Sequence, residues 1–217
     1  MPLLRRYESL LLKKSVALSQ PYSHRMSQSL ALRLQLLSSL RWINKFSVLD
    51  EIALLENTPT SRPTGTKPAE KFRGPILGKF WHKHYYDSRH LAQNFHNKWF
   101  GDYAIKHGLF KEKFHEILMT EVDDSDMEKY RLIMANRISH TVVYDGIESR
   151  RKRGALTGEW LIYYIHNDFN YYLDLANHIE LEDPKKMFDR LKDACAWEFP
   201  FAFEDARPLE QSRTNQD

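Results

Sequence analysis

The sequence predicts an α+β fold, predominantly helical, with a small antiparallel sheet (a late β-hairpin) packed on helices and preceded by a basic helical N-terminal appendage. Three observations predict it. Apolar residues recur at helical spacing through most of the 217-residue chain. The pattern changes at Glu159–His166 (EWLIYYIH) and Tyr171–Asn177 (YYLDLAN), which are aromatic and β-branched and flank turn-forming Asn167, Asp168 and Asn170. Residues 1–49 hold eight Lys/Arg against one acid, Glu8, a net +7 that leaves −4 for the rest, since the whole chain carries +3.

The elements follow in order. Residues 1–56 read as a basic amphipathic leader: a first helix through Leu10, Leu11 and Leu12 that stops near Pro21, then a longer one. Ser23 is the expected cap of the second, with Met26, Leu30, Leu34, Leu37, Trp42, Ile43 and Phe46 on its apolar side, running on through Ile52 and Leu55. An Arg- and Ser-rich start also suits a transit peptide, but no cleavage site is evident, and a helical appendage is the preferred reading. Residues 57–75 contain four prolines and two glycines and form a linker or extended strap. A globular domain then spans 76–204. Leu91, Phe95 and Trp99 mark one helix, closed by Gly101, and Phe110–Glu121 a second. Asp123, Asp124 and Ser125 cap a third that carries Tyr130, Met134, Ile138 and Val142 toward Arg150 and Gly154. After the hairpin, Asp183-Pro184 opens a last helix through Met187, Phe188, Leu191 and Ala194. Residues 205–217 read as a disordered tail.

Chemistry is concentrated in two places. Phe80–Trp99 (FWHKHYYDSRHLAQNFHNKW) contains His82, His84, His90 and His96 beside Arg89, Lys98 and Asp87. His82 and His84 would share one face of a strand, a spacing that suits metal chelation. Alternatively, His82, His84 and His90 do metal-free acid–base work, one group moving a proton while a cation stabilises a phosphorane. The plainest reading has them bonded to backbone carbonyls. Of the two chemical readings, the metal-free one leads, with no metal and no cofactor. The second place is Arg150-Arg151-Lys152-Arg153, where Arg150, Arg151 and Arg153 are candidates to grip phosphate; a helix C-terminus neutralising its own dipole is the competing account. Trp160, Tyr163, Tyr164, Tyr171 and Tyr172 suit base stacking but more commonly form cross-strand pairs. Glu159 and His166 bracket the first strand of the hairpin.

Other classes are excluded. One cysteine, Cys195, forbids an internal disulfide and a Cys-based zinc site. There is no GxxxxGK[ST], no GxGxxG after a strand and no GxSxG, which argues against an NTPase, a Rossmann oxidoreductase and a serine hydrolase. No window approaches the ~18 consecutive apolar residues of a membrane span. A soluble, cytoplasmic protein is therefore expected. The layout of small sheet, helices and His/Arg/Tyr chemistry loosely resembles the small ribonuclease toxins of bacteria; the likeness is architectural and no shared motif carries it. The lead expectation is a metal-independent, RNA-cleaving nuclease. The alternative is a non-enzymatic module that binds RNA or a protein partner through its basic leader, or self-associates to cover the leader's apolar stripe.

Overall fold

The computed structural model describes residues 6–58, 63–119 and 127–204. The expected tail (205–217), the first five residues of the leader and the expected cap at 123–125 lie outside them. The fold is α+β and mostly helical, with one four-stranded antiparallel sheet. In chain order, α1 (Arg6–Val16), α2 (Gln28–Ser39) and α3 (Lys45–Leu55) come first. Strands β1 (Glu70–Lys71) and β2 (Trp81–Tyr85) follow. Helices α4 (Leu91–Trp99), α5 (Asp102–Lys106), α6 (Leu109–Leu118), α7 (Met127–Ser139) and α8 (Gly146–Lys152) lead to the hairpin β3 (Glu159–His166) and β4 (Phe169–Ala176). Helix α9 (Pro184–Cys195) closes the order.

The leader departs from a single long second helix. Its cap is Ser27, whose side chain accepts from the Leu30 N–H, not Ser23, which lies in a short 3₁₀ turn. The helix also breaks at 40–44, where Arg41 takes a left-handed φ of 58° and Asn44 caps α3. This break folds α3 back, so that both helices lay their apolar faces on the sheet. Val16, Met26, Leu30, Leu34, Val48 and Ile52 are packed with Tyr85, Leu161, Tyr163, Tyr172 and Leu175 in one core. Alternation sends the intervening strand residues to the opposite face. There Trp160, Ile162 and Ala176 meet Met187, Leu191 and Cys195 of α9, and Phe199 and Phe203 beyond it. The hairpin turn is two residues, Asn167 and Asp168, both at positive φ (48° and 64°), the pairing that matches strand twist.

The strand order is β1-β2-β3-β4. At one edge the chain around Met26 runs alongside β4, with the Ser27 N–H donating to the Tyr172 carbonyl at 2.8 Å. At the other, β1 is two residues long. A third, smaller core of Trp99, Ile117, Met134 and Val142 joins α4, α6 and α7. Between α7 and α8, residues His140–Asp145 form a π-helical turn. It sits where the Trp99 indole N–H donates to the Val142 carbonyl at 2.7 Å.

Candidate functional site

His82 and His84 lie on β2 and do share a face, opposite Ile162 and Trp160 of β3. That face is the one covered by α9, so both rings are buried, at 8% and 5% exposure. His82 packs on Phe72 (4.5 Å between ring centres) and Trp160 (5.0 Å), and its Nδ1 is buried without a hydrogen bond. Burial pushes its pKa down. His84 is held at both nitrogens: Nδ1 is 2.9 Å from the Gly158 carbonyl and Nε2 is 3.4 Å from the Trp160 indole nitrogen. Because the indole can only donate, Nε2 accepts and the proton of the neutral ring sits on Nδ1. Burial lowers the His84 pKa to about 4, against a smaller opposing effect of the Gly158 bond. His178, after β4, places its Nε2 3.0 Å from the same carbonyl and its ring 4.2 Å from Trp160.

His90 occupies a different niche. It is the third residue of a capping box: Asp87 Oδ1 accepts from the Arg89 N–H, and His90 Nδ1 accepts from the Asp87 N–H at 3.1 Å. Burial lowers its pKa, with the Arg89 charge adding to the effect. It approaches Gly158 from the Cα side; a Cβ there would lie 3.2 Å from His90 Nδ1. Glu159 accepts from the Tyr85 hydroxyl at 2.8 Å, while His166, at the far end of β3, stacks on Phe201. Trp160, Tyr163 and Tyr172 are buried in the sheet, the last two as a cross-strand pair.

The basic run divides by helical spacing. Arg151 turns outward and pairs with Glu148 at 2.8 Å. Arg150 and Arg153, three residues apart, turn together into a cavity of about 440 Å³, which Lys67, Asn97, Lys98, Tyr103 and Thr157 also line. Four cations thus surround one space, and Asp102 is the one carboxylate on its wall. Burial lowers the Lys98 pKa first, and the charges of Arg153, Arg150 and Lys113 lower it further. Burial, then Arg153, does the same to Arg150.

Asn94 holds the cavity to the histidine segment. Fully buried on α4, it donates to the carbonyls of His90 (2.9 Å) and Thr157 (2.7 Å) and accepts from the Thr157 N–H (2.9 Å) and Arg150 Nε (3.3 Å). The chain from His84 through Gly158, Thr157 and Asn94 to Arg150 is therefore continuous in contacts. Asn94 carried no clear signal in the sequence, because it stands one residue from Phe95 and five from Trp99, off the face that they mark. Lys67 carried none either, lying in the Pro-rich strap.

Elsewhere the charges are paired inward. Three leader cations bind acids of other elements: Lys13 with Glu198, Arg25 with Glu56 and Arg33 with Asp174. Lys83 is buried against Glu51 at 3.1 Å, with Thr66 and the Lys67 carbonyl completing its shell. Among the described residues, no group of three or more His, Cys, Asp or Glu is arranged to hold a metal ion, and no helix is long and apolar enough to cross a membrane. No protein-family model, curated protein or solved structure matches the chain.

Proposed function

We infer that the protein binds RNA, seating a backbone phosphate among Lys67, Lys98, Arg150 and Arg153 and stacking a base on Tyr103. The observation that supports this is the gathering of four cations from three separate stretches of chain around one cavity whose wall holds a single carboxylate. Like charges held together in this way repel, and a bound anion relieves the repulsion. Tyr103 supplies the second half of the recognition. It lines the same cavity, is 70% exposed and leans on His107 at 4.3 Å, which leaves one broad ring available to a base. Asn94 Oδ1 accepts from Arg150 Nε and the Ala155 carbonyl from its Nη2, so the seat is preorganised.

Anisotropy of a labelled single-stranded RNA checks this reading. Replacing both Lys98 and Arg153 with Ala should weaken binding at least tenfold and flatten its salt dependence by about one phosphate contact. Tyr103→Ala should cost about 1–3 kcal/mol with the salt slope unchanged. Binding unaltered by the Lys98/Arg153 pair would remove the proposal. A second reading, cleavage of the bound strand, rests on His90, whose main-chain carbonyl accepts from Asn94, the residue that also accepts from Arg150 Nε, while its imidazole Nδ1 is engaged with the Asp87 N–H. Gel analysis of the same mixtures tests it: cleavage that persists in chelator and is lost in His90→Ala supports a histidine acid–base step, and intact RNA throughout excludes it for that strand.

A further inference from the structure

A different surface, independent of the phosphate seat, has the chemistry of a lipid contact. At the corner between α2 and α3 the large apolar residues Leu36, Leu40, Trp42 and Phe46 are all exposed, Trp42 by 62%. Exposed tryptophan on a soluble surface without a partner is unusual, and four such residues at one corner form a contiguous feature. Two cations, Arg41 and Lys45, stand among them, and the stretch from Leu34 to Leu49 contains no Asp or Glu. Lys45 lies over the Phe46 ring at 5.6 Å.

The corner is also rigid. The Arg41 N–H donates to the Ser38 carbonyl (3.0 Å) and the Trp42 N–H to the Leu37 carbonyl (2.8 Å). Ile43 is buried beneath, and the Asn44 N–H donates to Asp87 Oδ2 at 2.7 Å. The indole is therefore displayed on hydrogen-bonded backbone anchored by the buried Ile43, while Leu36, Leu40 and Phe46 stay exposed with it. Leucine and phenylalanine side chains suit the acyl boundary, tryptophan the headgroup level, and flanking Arg and Lys the phosphates of anionic lipid. A cation-flanked aromatic corner, with Asp87 buried beneath it, matches an anionic bilayer in both polarity and charge.

We propose that the Leu36–Phe46 corner docks the protein on the surface of an anionic membrane, inserting Trp42 and Phe46 at the headgroup level while Arg41 and Lys45 contact lipid phosphates.

The full chain should co-sediment with vesicles of phosphatidylcholine plus phosphatidylserine and much less with phosphatidylcholine alone. The double replacement Trp42→Ala with Phe46→Ala should reduce the bound fraction's partition coefficient at least tenfold, and Arg41→Ala with Lys45→Ala should reduce it several-fold and remove its salt sensitivity. Trp42, Phe46 and Arg41 are exposed and Lys45 is half-buried; an unchanged thermal transition for each variant confirms the fold. Three results would overturn the proposal. These are no sedimentation with either vesicle, equal sedimentation with both, or sedimentation that the Trp42/Phe46 variant retains in full. The last would assign lipid binding to the cations around Arg150. A concentration-dependent dimer abolished by Trp42→Ala, with no vesicle binding, would assign the corner to a second copy of the chain and equally overturn it.

Discussion

At Gly158 the chain passes so close to β2 that a Cβ would stand 1.8 Å from the Tyr85 carbonyl oxygen, and its own carbonyl receives both His84 and His178. A protonated His84 would keep that bond but would turn its Nε2 from acceptor to donor against the indole N–H. The folded pKa of about 4 lies below the ordinary 6.5, so the unfolded chain binds the extra proton more readily. The stability that His84 supplies is complete above about pH 6.5 and is lost as the pH falls toward about 4. Urea unfolding should show a loss of about 2 kcal/mol between about pH 7 and about pH 5 that is attributable to this residue. His84→Gln, which keeps a polar side chain and does not titrate there, should flatten that part of the profile; an unchanged slope would show that other groups govern it. The sequence made the pairing of His82 and His84 on one strand face legible, because alternation depends only on β2 being a strand. It did not say what would pack on that face. That depends on α9, which is far away in the chain. The sequence reading groups Arg150, Arg151 and Arg153 as one phosphate grip; the structure separates Arg151, which pairs with Glu148, from the other two. Lys67 and Lys98 join Arg150 and Arg153 only through tertiary packing, which no local pattern encodes.

At the scale of elements, α4 is seated against the π turn and α8 by the Trp99 indole. The π turn presents the Val142 carbonyl, and Gly146 provides the flat floor: a Cβ there would lie 2.8 Å from Trp99 Nε1. Gly146→Ala should lower stability by about 1–3 kcal/mol despite the better helix propensity of alanine. Combined with Trp99→Phe, whose smaller ring vacates that space, the two losses should be less than additive in denaturant unfolding. Strict additivity would show that the ring and the glycine are not coupled. A helix across this region was expected from its apolar spacing, and a glycine inside it was the one local sign of the contact. The corner at 40–44 was less legible. Trp42, Ile43 and Phe46 extend the apolar periodicity of α2, so the pattern reads as a continuous helix, whereas Asn44 caps a new one.

Across the whole molecule the sheet lies between two covers: α1 to α3 on one face, and α9 with the aromatic residues after it on the other. The basic excess of the leader suggested a free surface, yet Lys13, Arg25 and Arg33 are spent on acids in other parts of the fold. Most of its apolar stripe likewise finds its partner within the chain, the exposed corner of Leu36, Leu40, Trp42 and Phe46 excepted. The segment 76–204 expressed without residues 1–75 would expose Leu161, Tyr163, Tyr172 and Leu175 together, so it should lack a cooperative thermal transition; a sharp one would show that β2 to β4 and α9 suffice. The leader has a separate duty at the sheet's margin. By running beside β4, the chain around Met26 occupies backbone groups that would otherwise recruit a strand from another molecule, and β1 at the opposite margin is too short to recruit one. A chain clipped ahead of Gln28 would thus keep its hairpin but uncover a growing end, and its failure would take the form of ordered polymer, seeded by the cut molecules and capable of drawing in newly made chains before their first helices have docked.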